Sequence, residues 1–365
     1  MKVLGIETSC DDTAVGIVTE DKTILSNSVF SQIRAHELHG GVVPEIAARE
    51  HLKALEPVLK KALEESDLTL GDFDAVAATC GPGLIGGVII GMMAGKTLSA
   101  VYNVPFIGVN HLEAHALSPR LVEDVEFPYL LLLVSGGHTQ ILSVKDIGRY
   151  KLLGTTQDDA LGEAFDKCAK MMGFPYPGAP SLEKAAGMCA DPKAAVARFP
   201  LPRPMKGRQG CDFSFSGLKS AVRKILEDNR ESFRMANREG GFFHPMFCDL
   251  AYAFQYSVKE VLEDRLHNAF TMIETLHPEM ADLKERYFVV AGGVASNQFI
   301  RQSLLTKSGE EGYRFCVPPA KLCTDNGAMV AWAGVERMKR NMTSPLTIAA
   351  RPRWPLDDTV SNNRL

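Results

Sequence analysis

The chain contains an internal repeat of three apolar segments, which limits the folds that it can adopt. Near the N-terminus, "KVLGIET" is followed by the small polar turn "SCDDT" and by two more apolar runs, "AVGIVTE" and "TILSNSVFS". From Tyr129 the same order returns as "YLLLLV", "SGGHT", "QILSV" and "YKLLGTT". Apolar runs of this length that are separated by short polar turns are typical of strands joined by hairpins. The sequence therefore predicts two similar lobes, each of which begins with three strands.

Helical and strand segments alternate after each triplet. The helices are "PEIAAREHLKALEPVLKKALEE", "GGVIIGMMAGKTLSAVY", "GEAFDKCAKMMG", "AYAFQYSVKEVLEDRLHNAFTMIETL" and "NGAMVAWAGVERMKR", and the strands include "AVAATCGPG", "PFIGV", "YFVVAGGV" and "YRFCVPP". This pattern predicts a duplicated α/β fold with its binding site in the cleft between the lobes. A plain Rossmann fold is the alternative. It is disfavoured because the glycine-rich turns join strand to strand and because no GxGxxG opens a helix.

Composition excludes several classes of protein. The chain of 365 residues is long enough for two domains, and its net charge of −4 argues against a general polyanion binder. No apolar run reaches the roughly 20 residues of a membrane helix, and no targeting segment is visible. The eight cysteines are scattered and form no CxxC pair, which favours a reducing compartment. We therefore expect a cytoplasmic protein without a membrane partner.

The stretch "VNHLEAHALS" carries two histidines four residues apart, His111 and His115. A step of four residues turns a helix through about 400°, so both rings lie on one face and can reach one cation. Glu113 lies about 200° round from His111, on the far face, so it cannot activate water as the glutamate of an HExxH protease does. A metal site and an ordinary pair of solvent-facing histidines both remain open at this point.

A third metal ligand must come from elsewhere in the chain. The segment "KLCTDNGAMVAW" offers Asp325 at the start of a helix. Taken alone, this residue is better explained as a helix N-cap, because its carboxylate can accept bonds from the free backbone N–H groups. Two histidines and a carboxylate would suit zinc or ferrous iron and leave positions open for a substrate.

Glycine-rich turns are the next candidates. In "SGGHT" (135–139), exposed backbone N–H groups could hold a phosphate or a carboxylate, and "AGGVASN" (291–297) could approach a nucleotide closely. Tight turns that need a positive φ are the alternative for such glycines. Asp166, in "GEAFDKCAK", could bind a ligand hydroxyl or simply lie on an exposed helix face.

Residues 193–224 contain eight basic side chains and one acid, Asp212. A solvated loop and a phosphate-contacting patch explain this excess equally well. Phe213 and Phe215 within the segment are expected either to anchor it in the core or to flank the patch.

A series of motifs, in order and across almost the whole chain, resembles the TsaD family. Its members are tRNA N6-adenosine threonylcarbamoyltransferases, formerly called O-sialoglycoprotein endopeptidases. The motifs are "GIETSCDDT", "GGVVPEIAAREH", "GPGLIGG", "NHLEAH", "LLVSGGHTQ", "GEAFDKCAK", "DFSFSGLKSAV", "VVAGGVASN" and "CTDNGAMVAWAG". The resemblance implies the two-lobed actin/Hsp70/sugar-kinase fold. We expect an N-terminal lobe at 1–125, a C-terminal lobe at 126–345 with a basic insertion around 190–245, and a tail at 346–365.

The resemblance also implies a set of site residues. His111, His115 and Asp325 would hold one Fe(2+) or Zn(2+) ion. The substrate, threonylcarbamoyladenylate, would be bound by Val134, Ser135, Gly136, Gly137, His138, Asp166, Gly178, Ala179, Glu183 and Asn297. Ala179 departs from the family, which often has a second glycine at this position of "YPGAP".

The implied reaction transfers a threonylcarbamoyl group to N6 of the adenosine 3′ of the anticodon, in tRNAs that read ANN codons, and releases AMP. The implied partners are tRNA, the paralogue TsaB and the ATPase TsaE, with a homodimer as the other possibility. Three alternatives are a phosphotransferase of the same fold, a nucleotide-binding scaffold without turnover, and a metalloprotease, which the position of Glu113 disfavours.

Overall fold

A computed structural model describes residues 1–37, 39 and 41–357. These residues form two compact units. The first contains Met1–Phe127, Val144–Lys151 and the described residues from Val317 onward, and the second contains Pro128–Ser143 and Leu152–Cys316. This division differs from the predicted lobes, because residues 317–345 join the N-terminal unit. Of the predicted tail, residues 358–365 lie outside the described part of the chain.

The described residues form two five-stranded sheets, one within the first unit and one largely within the second. The strands of the first are β1 (Lys2–Glu7), β2 (Asp12–Thr19), β3 (Ile24–Ser31), β4 (Ala75–Gly81) and β5 (Phe106–Asn110). Those of the second are β6 (Tyr129–Val134), β7 (Thr139–Asp146), β8 (Arg149–Thr155), β9 (Tyr287–Ala291) and β10 (Arg314–Cys316).

The α-helices include all five that apolar spacing predicts. They are α1 (Ile33–Glu37), α2 (Pro44–Ser66), α3 (Ile85–Tyr102), α4 (His111–Leu117), α5 (Pro119–Val122), α6 (Leu161–Met171), α7 (Gly178–Gly187), α8 (Pro192–Arg198), α9 (Ser216–Asp228), α10 (Arg230–Gly240), α11 (Pro245–Leu276), α12 (Gln298–Glu310), α13 (Ala320–Cys323) and α14 (Gly327–Met338).

The two sheets share one strand order, β3-β2-β1-β4-β5 and β8-β7-β6-β9-β10. In the first, β1 runs antiparallel to β2 and parallel to β4, which runs parallel to β5. In the second, β6 runs parallel to β9, and β9 parallel to β10. Parallel neighbours need a long crossover connection, which α3 supplies between β4 and β5. The predicted duplication of an α/β fold is confirmed.

Helix α14 explains why a late part of the chain belongs to the first unit. A Cβ atom at Gly5 would overlap backbone atoms of Gly327 and Ala331, and one at Gly16 would overlap Ala328. These glycines let the helix lie directly on β1 and β2, so residues 327–336 are all buried. Trp332 is among the largest side chains in the resulting core.

Helix α3 is long and apolar enough, by length and composition alone, to cross a bilayer. Its mean hydropathy is 1.4 over 18 residues, of which 33% are buried in the structure. One side packs on β4. The other side leaves Ile85, Ile89 and Met93 exposed at four-residue spacing. These three side chains on one helix face form a candidate surface for contact with another chain.

Candidate metal centre and substrate residues

Helix α4 begins immediately after strand β5. Asn110 ends the strand and caps the helix, because its Oδ1 accepts hydrogen bonds from the N–H groups of Leu112 (2.9 Å) and Glu113 (3.4 Å). His111 is therefore the first residue beyond the carboxyl end of a buried strand. Ligand sites of open α/β sheets lie at this edge.

The two histidines and Asp325 meet at one point. The Nε2 atom of His115 lies 3.0 Å from Oδ1 of Asp325, and that of His111 lies 3.6 Å from the same oxygen. The ring centroids are 4.7 Å apart and the rings are nearly perpendicular, at 88°. One donor atom from each residue falls within 4.8 Å of the others. The structure thus brings together the three residues that the sequence proposed as a metal site.

Asp325 is not the helix cap that it resembles in the sequence. The N-cap of α14 is Asn326, whose Oδ1 accepts a hydrogen bond of 2.9 Å from the N–H of Met329. The N-cap interpretation of Asp325 is therefore wrong. Its carboxylate approaches the two imidazoles instead.

Glu7, at the carboxyl end of β1, supports His111 from behind. Its fully buried carboxylate accepts hydrogen bonds from Nδ1 of His111 (3.0 Å), Oγ1 of Thr79 (2.6 Å) and the N–H of Ser9 (2.5 Å). In the neutral imidazole, a proton held on Nδ1 leaves the lone pair of Nε2 available to a cation, which is the usual arrangement behind a metal-bound histidine. Glu7 lies within the motif "GIETSCDDT", and its role was not predicted. A charged residue at the end of an otherwise apolar strand was the signal.

The electrostatics of this site favour positive charge. Burial opposes protonation of His111, but the charges of Asp325 and Glu7 outweigh it and raise its pKa to about 9. Burial likewise raises the pKa of Glu7, but the charge and hydrogen bond of His111 outweigh it and hold that pKa below its ordinary value. A field that retains a proton on a buried imidazole also attracts a cation. The donor set of two imidazoles and one carboxylate therefore fits zinc or ferrous iron.

Glu113 lies on the opposite side of α4, as the helical spacing predicts. Its buried carboxylate accepts hydrogen bonds from the hydroxyl of Tyr150 (2.8 Å) and from Nε of Arg337. A glutamate that is held in this way is not available to activate water beside the histidines. The protease alternative thereby loses its general base.

The SGGHT turn connects β6 to β7 in the second unit. The turn is closed by two hydrogen bonds, from the N–H of Ser135 to the carbonyl of His138 (2.8 Å) and from the N–H of His138 to Oγ of Ser135 (3.1 Å). Gly136 and Gly137 are exposed, and in the described part of the chain their N–H groups have no hydrogen-bond partner. Neither glycine has a positive φ, so the interpretation as a turn that needs positive φ is wrong.

The other predicted substrate residues of the second unit make local contacts. Oδ1 of Asp166 accepts a hydrogen bond of 2.9 Å from the N–H of Ala179, and a Cβ at Gly178 would lie 2.6 Å from that of Ala169. Oε1 of Glu183 accepts a hydrogen bond of 2.7 Å from the N–H of Gln298. These contacts hold the start of α7 against α6 and tie α7 to α12.

Asn297 has a capping role at the start of α12. Its Oδ1 accepts a hydrogen bond of 2.9 Å from the N–H of Ile300, and its Nδ2 donates to Gln255 at 3.3 Å. Val134 lies near the same region, because a Cβ at Gly292 would overlap its carbonyl oxygen. Two of the predicted substrate segments, 134–138 and 292–297, thus follow the carboxyl ends of the neighbouring parallel strands β6 and β9.

The basic segment 193–224 carries much less free charge than its sequence suggests. Five of its eight basic residues form ion pairs with acids: Arg198 with Asp249, Arg203 and Lys206 with Glu260, Lys219 with Asp159, and Arg223 with Glu227. Lys193, Arg208 and Lys224 are exposed and have no acidic partner among the described residues. Phe213 and Phe215 are fully buried anchors. The phosphate-contacting patch therefore stays a prediction, with three basic side chains that lack an acidic partner among the described residues.

A family model described as TsaD, tRNA N6-adenosine threonylcarbamoyltransferase, matches residues 23–332. The chain belongs to the TsaD family. A relative from Paramagnetospirillum magneticum, named tRNA N6-adenosine threonylcarbamoyltransferase, is 51% identical over 360 residues and covers 99% of this chain and 98% of its own length. One of the same name from Bartonella bacilliformis is 50% identical over 366 residues, with 99% and 96% covered. As a TsaD member, the chain is a tRNA-modifying transferase.

Among solved structures, full-length HypF in a phosphate- and nucleotide-bound form aligns with a TM-score of 0.53 at 12% identity, covering 93% of this chain and 55% of HypF. This likeness concerns the fold alone. With the repeated strand order, it confirms for this TsaD chain the duplicated actin/Hsp70/sugar-kinase fold that the motifs implied.

Proposed function

We propose that this TsaD chain transfers the threonylcarbamoyl group of L-threonylcarbamoyladenylate to N6 of the adenosine 3′ of the anticodon, in tRNAs that read ANN codons. The N6 amine attacks the carbonyl carbon, the bond from that carbon to the phosphate oxygen breaks, and AMP leaves while N6 loses a proton. The observation that carries the proposal is the convergence of His111, His115 and Asp325 in a member of this family.

His111, His115 and Asp325 would hold one divalent cation, Fe(2+) or Zn(2+). Such an ion supplies Lewis-acid polarisation of a substrate oxygen. Glu7 keeps the proton of His111 on Nδ1, so that Nε2 stays directed at the donor cluster. Thr79 and Ser9 in turn hold the carboxylate of Glu7.

The second unit would bind and orient the adenylate. The N–H groups of Gly136 and Gly137, which have no partner among the described residues, are donors for the oxygen on which negative charge develops during acyl transfer. Asp166, Gly178, Ala179, Glu183 and Asn297, together with Val134, Ser135 and His138, complete the proposed substrate set. Phosphates of tRNA would meet Lys193, Arg208 and Lys224, the basic side chains of 193–224 without an acidic partner in the described ranges.

The partner we propose is the paralogue TsaB, seated on the exposed stripe of α3 formed by Ile85, Ile89 and Met93. Four-residue spacing makes this stripe a ridge that a helix of another chain can pack against. TsaE would join the same assembly, and we place the protein in the cytoplasm with its tRNA substrate.

The metal assignment is tested by His111→Ala and His115→Ala. Without one imidazole the donor set is incomplete, so we expect both variants to lose bound metal and most of their tRNA modification. Elemental analysis gives the metal content, and nucleoside analysis of tRNA supplied with purified adenylate gives the activity.

His277→Asn is the matched control, because His277 is equally buried but hydrogen-bonds to Ser143 and Glu279 in the second unit. We expect its metal content to equal that of the unaltered protein. Full modification by the His111 variant with undiminished metal would contradict the proposed chemistry.

A further inference from the structure

His111 and His115 lie on a helix that is too short to be stable without contacts to the rest of the protein. Helix α4 has seven residues, about two turns, and isolated helices of this length are not stable in water. All seven residues are buried. The direction in which His111 and His115 point is therefore set by the contacts that α4 makes with the rest of the first unit.

Glu113 makes the polar contact on the side of α4 away from the histidines. Its carboxylate is 2% exposed and pairs with Nε of Arg337, whose side chain is 15% exposed. The Tyr150 hydroxyl donates to the second carboxylate oxygen at 2.8 Å. Both oxygens of Glu113 are thus held, and the charge of Arg337 is balanced inside the protein.

Arg337 belongs to the same helix that positions Asp325. Asp325 directly precedes the N-cap of α14, whereas Arg337 lies in its last turn, about 18 Å away at 1.5 Å per residue. The histidines of α4 therefore contact Asp325, just before the N-terminal end of α14. Glu113 contacts Arg337, near the C-terminal end of the same helix. A helix that is held on two opposite faces can neither rotate about its axis nor slide without breaking one of the contacts.

We propose that the Glu113–Arg337 ion pair positions the two histidines relative to Asp325. The inference rests on the proposed metal site and gives Glu113, the glutamate between the two histidines, a positioning role. Buried ion pairs add little net stability compared with apolar packing, but they are favourable only when the two partners have the correct distance and orientation. Such a pair is suited to fixing the orientation of a short helix.

The test is a double-mutant cycle on metal affinity. Zn(2+) binding is titrated calorimetrically to the full chain and to Glu113→Gln, Arg337→Met and the double variant, after circular dichroism shows each to be folded. We expect each single variant to bind Zn(2+) about 10- to 100-fold more weakly, the range found for residues that orient metal ligands. The double variant should be no weaker than the weaker single one, because the two residues act as a unit.

Co(2+) provides a second measurement. Its visible absorption reports ligand geometry, so we expect the spectrum of Glu113→Gln to differ in band shape from that of the unaltered protein. Loss of thermal stability with unchanged Zn(2+) affinity and an unchanged Co(2+) spectrum would show that the pair is merely structural and overturn the proposal.

Glu336→Gln is the matched control. Glu336 is 4% exposed and pairs with Arg120 at 2.8 Å and with Arg340 at 3.2 Å, so its loss removes another buried ion pair of α14 while the partners of Glu113 are left in place. We expect its Zn(2+) affinity to stay within twofold of the unaltered value. If Glu336→Gln weakened Zn(2+) as much as Glu113→Gln, general loosening of α14 would replace the proposed role. If the unaltered protein bound no metal, the proposed function itself would fail, a result distinct from either outcome of the cycle.

Discussion

Carboxylate side chains hold several different groups in place in this chain. Glu7 holds Nδ1 of His111, whereas Glu113 holds Arg337 on the far side of the same helix. A third carboxylate, Asp158, organises the FSFSG segment of the second unit. It accepts hydrogen bonds from the N–H groups of Phe215 (2.7 Å) and Ser216 (3.1 Å) and from the hydroxyls of Ser214 and Ser216, both at 2.6 Å.

Asp158 gives a prediction about pH. Burial is the largest single effect and raises its pKa, but the hydrogen bonds from Ser214, Ser216 and Phe215 together outweigh it and hold the pKa below its ordinary value. Because the folded state has the lower pKa, the contribution of Asp158 to stability is present at neutral pH and is lost as pH falls below about 4. We expect Asp158→Asn to cost about 1 kcal/mol at pH 7, a modest value since the side chain is exposed.

Urea unfolding at neutral and acid pH measures this effect. The difference between the unaltered protein and Asp158→Asn should shrink as the pH is lowered through the range of carboxylate titration. A difference that stays constant with pH would show that the charge of Asp158 contributes nothing.

At the level of elements, α14 has to lie close to its sheet for Asp325 to reach the histidines. The glycines of β1 and β2 make this approach possible, because side chains at Gly5 or Gly16 would occupy the space of the helix backbone. The metal ligands thus depend on residues that carry no chemistry.

Gly16→Ala tests the approach of the helix. The added methyl group would overlap Ala328, so we expect a loss of about 1–3 kcal/mol in the free energy of unfolding, as overpacked cores show. Gly217→Ala in α9 is the control, since no atom of the described residues lies within 4 Å of the place that its added methyl group would take. Chemical denaturation gives the free energy of unfolding of both variants. If the two values were equal, α14 would be able to move away from the sheet without a loss of stability.

At the level of the whole molecule, both units repeat one strand order, yet the chain does not divide at one point. The segment around 344–354 returns to the first sheet. There the N–H of Arg351 donates to the carbonyl of Cys80 at 2.7 Å, and Asn110, the cap of α4, donates to the carbonyl of Trp354 at 3.0 Å. This part of the predicted tail is therefore integral to the first unit and helps to hold the start of the histidine helix.

The exposed stripe of α3 leads to a prediction about binding of TsaB. We expect Ile89→Glu to weaken binding of purified TsaB at least tenfold by calorimetry, because a charge would be buried in the contact, while the melting temperature stays unchanged. Leu305→Glu, an equally exposed apolar position on α12, is the control and should bind normally. If Ile89→Glu bound TsaB with unchanged affinity, α3 would not be part of the interface. If the protein alone formed dimers through this stripe, the chain that covers α3 would be a second copy of this protein and not TsaB.

The features that depend on local pattern were predictable from the residues alone. The period of the apolar residues was enough for the two strand triplets and the five main helices. The four-residue step between His111 and His115, with Glu113 on the far face, followed from helix geometry alone. These features depend on residues close together in the chain, so a short window contains all the necessary information.

The contacts between distant groups were not predictable and are seen in the folded chain. It chose Asn326 over Asp325 as the helix cap, placed Glu7 behind His111, and paired most of the cations of 193–224 with acids of other elements. It also moved α14 to the first unit, where Gly5 and Gly16 receive it. Each outcome depends on packing between residues far apart in sequence, and no local period records which of several chemically suitable partners will lie within a few ångströms.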